Sequence, residues 1–460
     1  MLTSLRIQNF KSWADTGPVR LAPLTVIFGG NSAGKSSLGH LLLALKQTVL
    51  STDRKRALNL GDPNTLIDLG TFEDCLHGHD LQSKLVFELG WVLPNGLEVR
   101  DALRPADRYT GTSMTFEATI AADVRKQPRT ERFRYVLCAS GEPSLSAEVS
   151  ASKSSLNLEA TPLVLAREVG RPNVSAEPEK FYRLPEAFLA GFKNAGFLVD
   201  FALATENVLR SVAYLGPLRE APRRTYQWSG DTPEDVGQLG QNAVAALLAA
   251  ESEDRRLNFA PRRDRRRFSE IIAGQLKTLG IIQQFTVRPI ADGRKEFEVL
   301  VRTGTDGAEV KITDVGVGVS QVLPALVQAF YCPANSTVWM EQPEIHLHPQ
   351  VQAELADVFI SAIHAREGGA PRNVQLVIES HSEHFLNRLQ RRIAEETLRA
   401  DEVAIYFASR RNGGTSLEPL RLNKYGDIEN WPSNFFGDDM ADLTARTVAA
   451  ARRRKQATQA

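Results

Sequence analysis

An α/β fold whose parallel sheet is split by a long insertion is predicted by three observations. The first 50 residues read strand, Gly-rich loop, helix. The last third alternates short apolar strands with helices, the rhythm of parallel βαβ units. Between them, residues 85–180 carry short alternating segments such as Lys84–Leu89, Met114–Thr119 and Arg132–Leu137, broken by Gly, Pro, Asp and Ser, which predict an antiparallel meander.

Taken in order, Leu5–Phe10 alternates as a half-buried strand and Leu24–Phe28 is a β-branched apolar run. Gly29-Gly30-Asn31-Ser32-Ala33-Gly34-Lys35-Ser36-Ser37 follows and fits the P-loop pattern; Leu38–Val49 is the helix the motif requires. Glycines let backbone N–H groups face a polyphosphate without Cβ clashes, and the helix N-terminus adds partial positive charge. Gly29, Asn31, Ser32, Ala33, Gly34, Lys35, Ser36 and Ser37 are therefore candidate ligands of ATP, with Lys35 reaching the β- and γ-phosphates and Ser36 placed on Mg²⁺. Helices are predicted over Pro185–Val212, Val236–Glu253 and Arg265–Leu279, and strands over Phe285–Arg288 and Glu296–Arg302. The division is 1–80 for the N-terminal ATPase part and 81–184 for an antiparallel β subdomain, then 185–300 for a helical arm and 301–460 for the C-terminal ATPase part.

Val338-Trp339-Met340 is a short buried strand ending in Glu341-Gln342-Pro343-Glu344. A carboxylate at such a strand end holds Mg²⁺, and the next residue orients the attacking water. Glu341 fills the first position as a second metal-site residue beside Ser36. Gln342 fills the next, where it can orient water but cannot take a proton, so hydrolysis is expected to be slow. Glu344 is a further candidate acid. Gln375–Ile378 is the next strand and leads to Glu379-Ser380-His381, where His381 is a candidate contact to the γ-phosphate or the lytic water; a purely structural histidine is the alternative. His346, His348 and His384 stand nearby in sequence without the spacing of a three-ligand metal site. Before the Glu341 strand, Gly316-Val317-Gly318-Val319-Ser320 opens an apolar helix, a second anion-binding end in which Gly318 and Ser320 are the candidate phosphate contacts.

Together these residues resemble the ABC-type ATPases of the SMC/RecF and OLD-like branch. Leu5–Ser12 is similar to that branch's first strand and turn. Leu69–Asp74, Tyr214–Arg219, Glu341–Pro349, Glu379–His384 and Gly426–Phe436 are similar to a bacterial ATPase family with a C-terminal domain of unknown function. The resemblance implies a P-loop ABC-type nucleotide-binding fold with a mixed sheet and split ATPase lobes. It implies a homodimer or higher homo-oligomer closed around ATP, with Lys35 and Ser36 of one chain facing Gly318 and Ser320 of the other. It also implies control of a protein effector, a nuclease in anti-phage defence. A nucleotide-gated DNA-repair protein of RecF type and a non-hydrolysing ATP-bound scaffold are the other readings. The chain departs from OLD nucleases, because the stretch after His384 is too short for their acidic nuclease domain, and from SMC proteins, because no sustained heptad run appears between residues 50 and 310.

Formal net charge is zero, so any nucleic-acid contact has to be local. Arg255, Arg256, Arg262, Arg263, Arg265, Arg266 and Arg267 are the candidate DNA contact, against the alternative of ion pairs with Glu251, Glu253 and Asp254. Arg219 and Arg223, on a Pro-bounded loop, are candidates for phosphate, DNA or a second subunit. Trp431, Phe435 and Phe436 suggest a packing or docking patch, and Arg452–Lys455 a tail. Three scattered cysteines, no signal-peptide pattern and no apolar run of membrane-spanning length predict a cytoplasmic protein without membrane contact.

Overall fold

The computed structural model describes residues 1–152, 155–168, 177–261, 263–304, 307–411 and 414–432. The predicted α/β fold with a mixed sheet is present. Its central sheet has six strands in the order Val212–Leu215, Thr337–Glu341, Gln375–Glu379, Leu24–Gly29, Val403–Arg411 and Gly414–Leu420. The first five run parallel; the last returns antiparallel from Val403–Arg411.

The sheet is covered on both faces, so its strands read as continuous apolar runs. All six residues of Leu24–Gly29 are buried. Leu24, Val26 and Phe28 point to one core with Val338, Met340 and Ile378, while Ile27 points to the other with Trp339 and Val377, as the two-residue period of a strand demands. The helices Lys35–Leu50 and Phe197–Arg210 cover the Ile27 side. Ala243–Ser252, Phe268–Thr278, Val317–Tyr331, Pro349–His364 and Glu383–Ala394 cover the other.

The predicted meander forms an eight-stranded antiparallel sheet, and it begins earlier in the chain than the meander does. Leu2–Phe10 pairs with Leu85–Arg100, with Ile7 opposite Phe87. The alternating Leu5, Ile7 and Phe10 need an apolar surface, and this sheet supplies it. Its strands are also longer than the segments that predicted them. Leu85–Arg100 and Arg108–Ala122 run through irregularities at Val92/Leu97 and Thr119/Ile120, because a bulge keeps a ladder going where strict alternation fails.

Two other boundaries differ from expectation. Pro185–Val212 is two helices, Glu186–Leu189 and Phe197–Arg210. The break falls at Gly191–Gly196, where Asn194 receives the Ala166 N–H and donates to Val164 O and Asp101. Val212–Leu215, inside the span assigned to the helical arm, is the edge strand of the central sheet. Among the described residues no helix is long and apolar enough to cross a membrane.

Candidate nucleotide site

The three central strands deliver the motifs to one place, the carboxyl end of the sheet, where ligands of open α/β folds bind. Leu24–Gly29 leads into the P-loop and Lys35 opens the helix. Gly34 has φ +77° and a Cβ there would lie 2.0 Å from Ser12 Oγ; Gly29 has φ +149° and a Cβ would lie 2.2 Å from Ala408 O. Both positions accept glycine alone. Trp13 Nε1 donates to Gly34 O (3.1 Å) and Ser37 Oγ (2.9 Å), and Ser37 donates to Gly34 O. Ser37, expected among the ligands, thus braces the loop, and Ala33 is buried beneath it. Gly30, Asn31 and Ser32 are exposed on the open side. Gly34→Ala is expected to destabilise the protein by about 1–3 kcal/mol from backbone strain before the Ser12 clash is counted; denaturant unfolding measures it.

Lys35 Nζ donates to Gly29 O and Gly30 O at 3.0 Å and lies 3.2 Å from His381 Nε2. Burial, and then the Lys35 charge, hold His381 below the usual histidine range, so it is neutral and accepts from the ammonium. Expected P-loop and histidine residues therefore meet directly.

Ser36 Oγ lies 2.7 Å from Glu341 Oε2 and 2.9 Å from Glu379 Oε2. The serine has one proton, so the second contact needs a proton on a carboxyl. Burial pushes Glu379 well up, and the Glu341 charge adds to it. Burial also raises Glu341, but hydrogen bonds from His40, Tyr214 and Ser36 outweigh it and leave Glu341 below its ordinary range. Glu379 is the protonated partner and Glu341 the anion. A serine hydroxyl with carboxylate oxygens is a hard donor set that fits Mg²⁺. Among the described residues no group of three His, Cys, Asp or Glu side chains is arranged to hold a metal; His346, His348 and His384 are exposed, and His348 caps its own helix at Gln350 N.

Glu344 turns inward. It is buried and accepts from Ser380 Oγ (2.7 Å) and the His381 backbone N–H (2.8 Å). It holds the turn that presents His381. Burial raises its pKa, so the folded state binds a proton that the unfolded state releases. The stability this gives is present below the ordinary glutamate pKa and is lost as pH rises through the folded value. Glu344→Gln keeps the accepting oxygen, and its melting temperature is expected to fall less than the wild type's between pH 5 and pH 8. Gln342 has φ +45°, is half-exposed, and donates its backbone N–H to Glu379 O.

Tyr214, His40 and Glu379 were not placed in this cluster by sequence, while Arg219 was a candidate for phosphate, DNA or a second subunit. Tyr214 OH donates to Glu341 Oε1 at 2.6 Å, and burial keeps that phenol protonated. His40 Nε2 stands 3.6 Å from the same oxygen. Arg219 Nη2 donates to Glu341 O at 3.1 Å, while its buried Nε and Nη1 have no hydrogen-bond partner among the described residues. Glu379 carries the signal that marked Glu341, an acid closing an apolar strand, and that signal was open to the same use.

Residues 258–386 match the AAA ATPase domain family. The match takes in the Gly318 helix, Glu341 and His381, and supports an ATP-binding ATPase. Residues 398–445 match the family described as Protein of unknown function (DUF3696). No curated protein sequence matches the chain at a significant level. Among solved structures, the chain is similar to an Smc head bound to the C-winged helix domain of ScpA, with 11% identity, 92% of this chain and 98% of that one covered, and TM-score 0.41. It is also similar to the SMC head domain from Thermotoga maritima, at 10% identity, 91% and 99% coverage and TM-score 0.39. A Pyrococcus furiosus Smc head with an extended coiled coil, bound to the C-terminal domain of ScpA, gives 10%, 92% and 96%, and 0.39.

Within the AAA ATPase match, Gly318 packs against Leu347 Cδ2 (3.4 Å from a Cβ built there) and the His346 carbonyl, and Ser320 is buried. The arginine stretch divides. Arg255 makes a bidentate pair with Glu367 and lies over the Phe268 and Tyr331 rings. Arg256 pairs with Asp254, and Arg267 with Glu251 and Asp254. Arg256 and Arg267 follow the expected ion-pair alternative and Arg255 takes a partner not foreseen, Glu367, while Arg263, Arg265 and Arg266 are exposed. Arg223 pairs with Glu220. Arg262, Phe435, Phe436 and Arg452–Lys455 lie outside the described residues.

Proposed function

We propose that the chain binds ATP with Mg²⁺, closes with a second copy around it, hydrolyses it slowly, and so controls a partner effector. The observation that carries the nucleotide reading is the convergence of Lys35, Ser36, Glu341 and His381 from three adjacent strand ends, joined by the 2.7 Å Ser36–Glu341 contact and the 3.2 Å Lys35–His381 contact. Bound Mg²⁺ would be held by Ser36 and Glu341 and would neutralise phosphate charge. Lys35 and the N–H groups of Gly30–Ser36 bind the phosphates. Neutral His381, held by Glu344, faces the terminal phosphate as donor or acceptor. Gln342 orients water without taking its proton.

Closure around ATP is supported by the family-like order of the Gly318 helix and the Glu341 strand. ATP then shifts the open–closed equilibrium by its differential affinity for the closed state. Phosphate release by the wild type and light scattering with ATP and Mg²⁺ test both parts. Association without turnover would favour a non-hydrolysing ATP-bound scaffold, the reading that Gln342 motivates. Absence of association under any nucleotide would reject the dimer. The effector, a nuclease in anti-phage defence, rests on the resemblance; equal copurification of an encoded neighbour in ATP and in ADP would count against gating.

A further inference from the structure

We infer that Glu379 is a further protein oxygen of the Mg²⁺ site, supplied from the strand beside that of Glu341. The inference rests on the ATP–Mg²⁺ reading and names a residue which that reading does not use. Glu341 and Glu379 are paired positions on adjacent parallel strands, so their side chains leave the same face of the sheet. Trp339 Nε1 donates to Glu379 Oε1 at 2.7 Å, which turns Oε2 toward Ser36. Ser36 Oγ then has a Glu341 carboxylate oxygen at 2.7 Å and a Glu379 carboxyl oxygen at 2.9 Å. Octahedral Mg²⁺ with bonds of about 2.0–2.1 Å sets neighbouring ligand oxygens about 2.9 Å apart. The protein thus gathers a hydroxyl and two carboxyl oxygens at one point, close enough together to share one ion.

The charge arrangement points the same way. Glu379 is fully buried, and its side chain bonds to an indole and a hydroxyl, neither of them cationic. A buried acid beside a second acid is costly unless a cation or a proton relieves it. Lys35, whose charge bears on both, is bonded to Gly29 O, Gly30 O and His381. A divalent ion beside Ser36 would replace the Glu379 proton, which leaves to solvent, and would then satisfy both carboxylates at once.

The test is Mn²⁺ binding to the protein–ADP complex, read by the electron paramagnetic resonance of free Mn²⁺, with ADP affinity measured separately in EDTA. Glu379→Gln is expected to weaken Mn²⁺ by about tenfold or more and to leave ADP binding in EDTA unchanged. Mn²⁺ affinity equal to wild type in Glu379→Gln, with a loss in Glu341→Gln, would overturn the inference and leave Glu379 a structural acid. Wild-type protein that adds nothing to the Mn²⁺ affinity of ADP alone would instead overturn the ATP–Mg²⁺ reading itself. If Glu379→Gln does not melt cooperatively, Glu379→Asp takes its place. That variant retracts the charge by one methylene, and unchanged Mn²⁺ affinity there would equally reject the assignment.

Discussion

Lys35→Ala is expected to lower kcat for ATP hydrolysis by about 10²–10³-fold, the loss that follows removal of one preorganised charge-stabilising donor. The ammonium is held in place by the Gly29 and Gly30 carbonyls and by neutral His381. Burial lowers its pKa, while the charge of Glu341 opposes that shift. It is therefore a preorganised donor at the mouth of the loop and needs little reorganisation when phosphate charge develops. Alanine also removes the donor that His381 accepts from, so the two contacts are lost together and the effects of Lys35→Ala and His381→Ala should not add. Phosphate release by wild type and variant measures the effect. Equal turnover would show that the Gly29–Ser37 loop is not where ATP is hydrolysed.

Gln342→Glu is expected to raise turnover by about 10²-fold, the low end of what a positioned general base contributes. On the proposed reading, the exchange adds a carboxylate where the amide only orients water. The backbone need not move, because residue 342 is set by its N–H to Glu379 O and by φ +45°, neither of which depends on the side-chain amide. The Glu341 anion already ends this strand, and its charge pushes a second carboxyl placed beside it upward, toward the range in which a base works at neutral pH. A wild type that associates with ATP but turns over slowly should, in this variant, associate and then release. Turnover unchanged, with the fold intact by melting, would place the lytic water away from residue 342.

The P-loop strand, the loop and its helix were legible because everything they need lies within one stretch of chain: apolar β-branched residues, glycines where φ is positive, then a helix-forming run. Glu341 and His381 were legible for the same reason, Glu341 closing one short apolar strand and His381 standing two residues past the end of another. The fold class followed from the alternation at the two ends of the chain.

What surrounds Glu341 was not legible in that way. Ser36 reaches Glu379 across 343 positions, and Tyr214 reaches Glu341 across 127. Those contacts exist because Val212–Leu215, Thr337–Glu341, Gln375–Glu379 and Leu24–Gly29 lie side by side in one register. Register is set by how both faces of the sheet pack, and one residue of slip would send each of these side chains to the opposite face. The arginine stretch makes the same point from the other side. Its local composition reads as a basic patch, yet Arg255 is engaged by Glu367, which the chain brings back 112 positions later. Local chemistry is written in neighbouring residues and was determined by sequence alone. Which charges stand next to one another was decided only by tertiary packing, because it depends on strand order and register and not on any one segment.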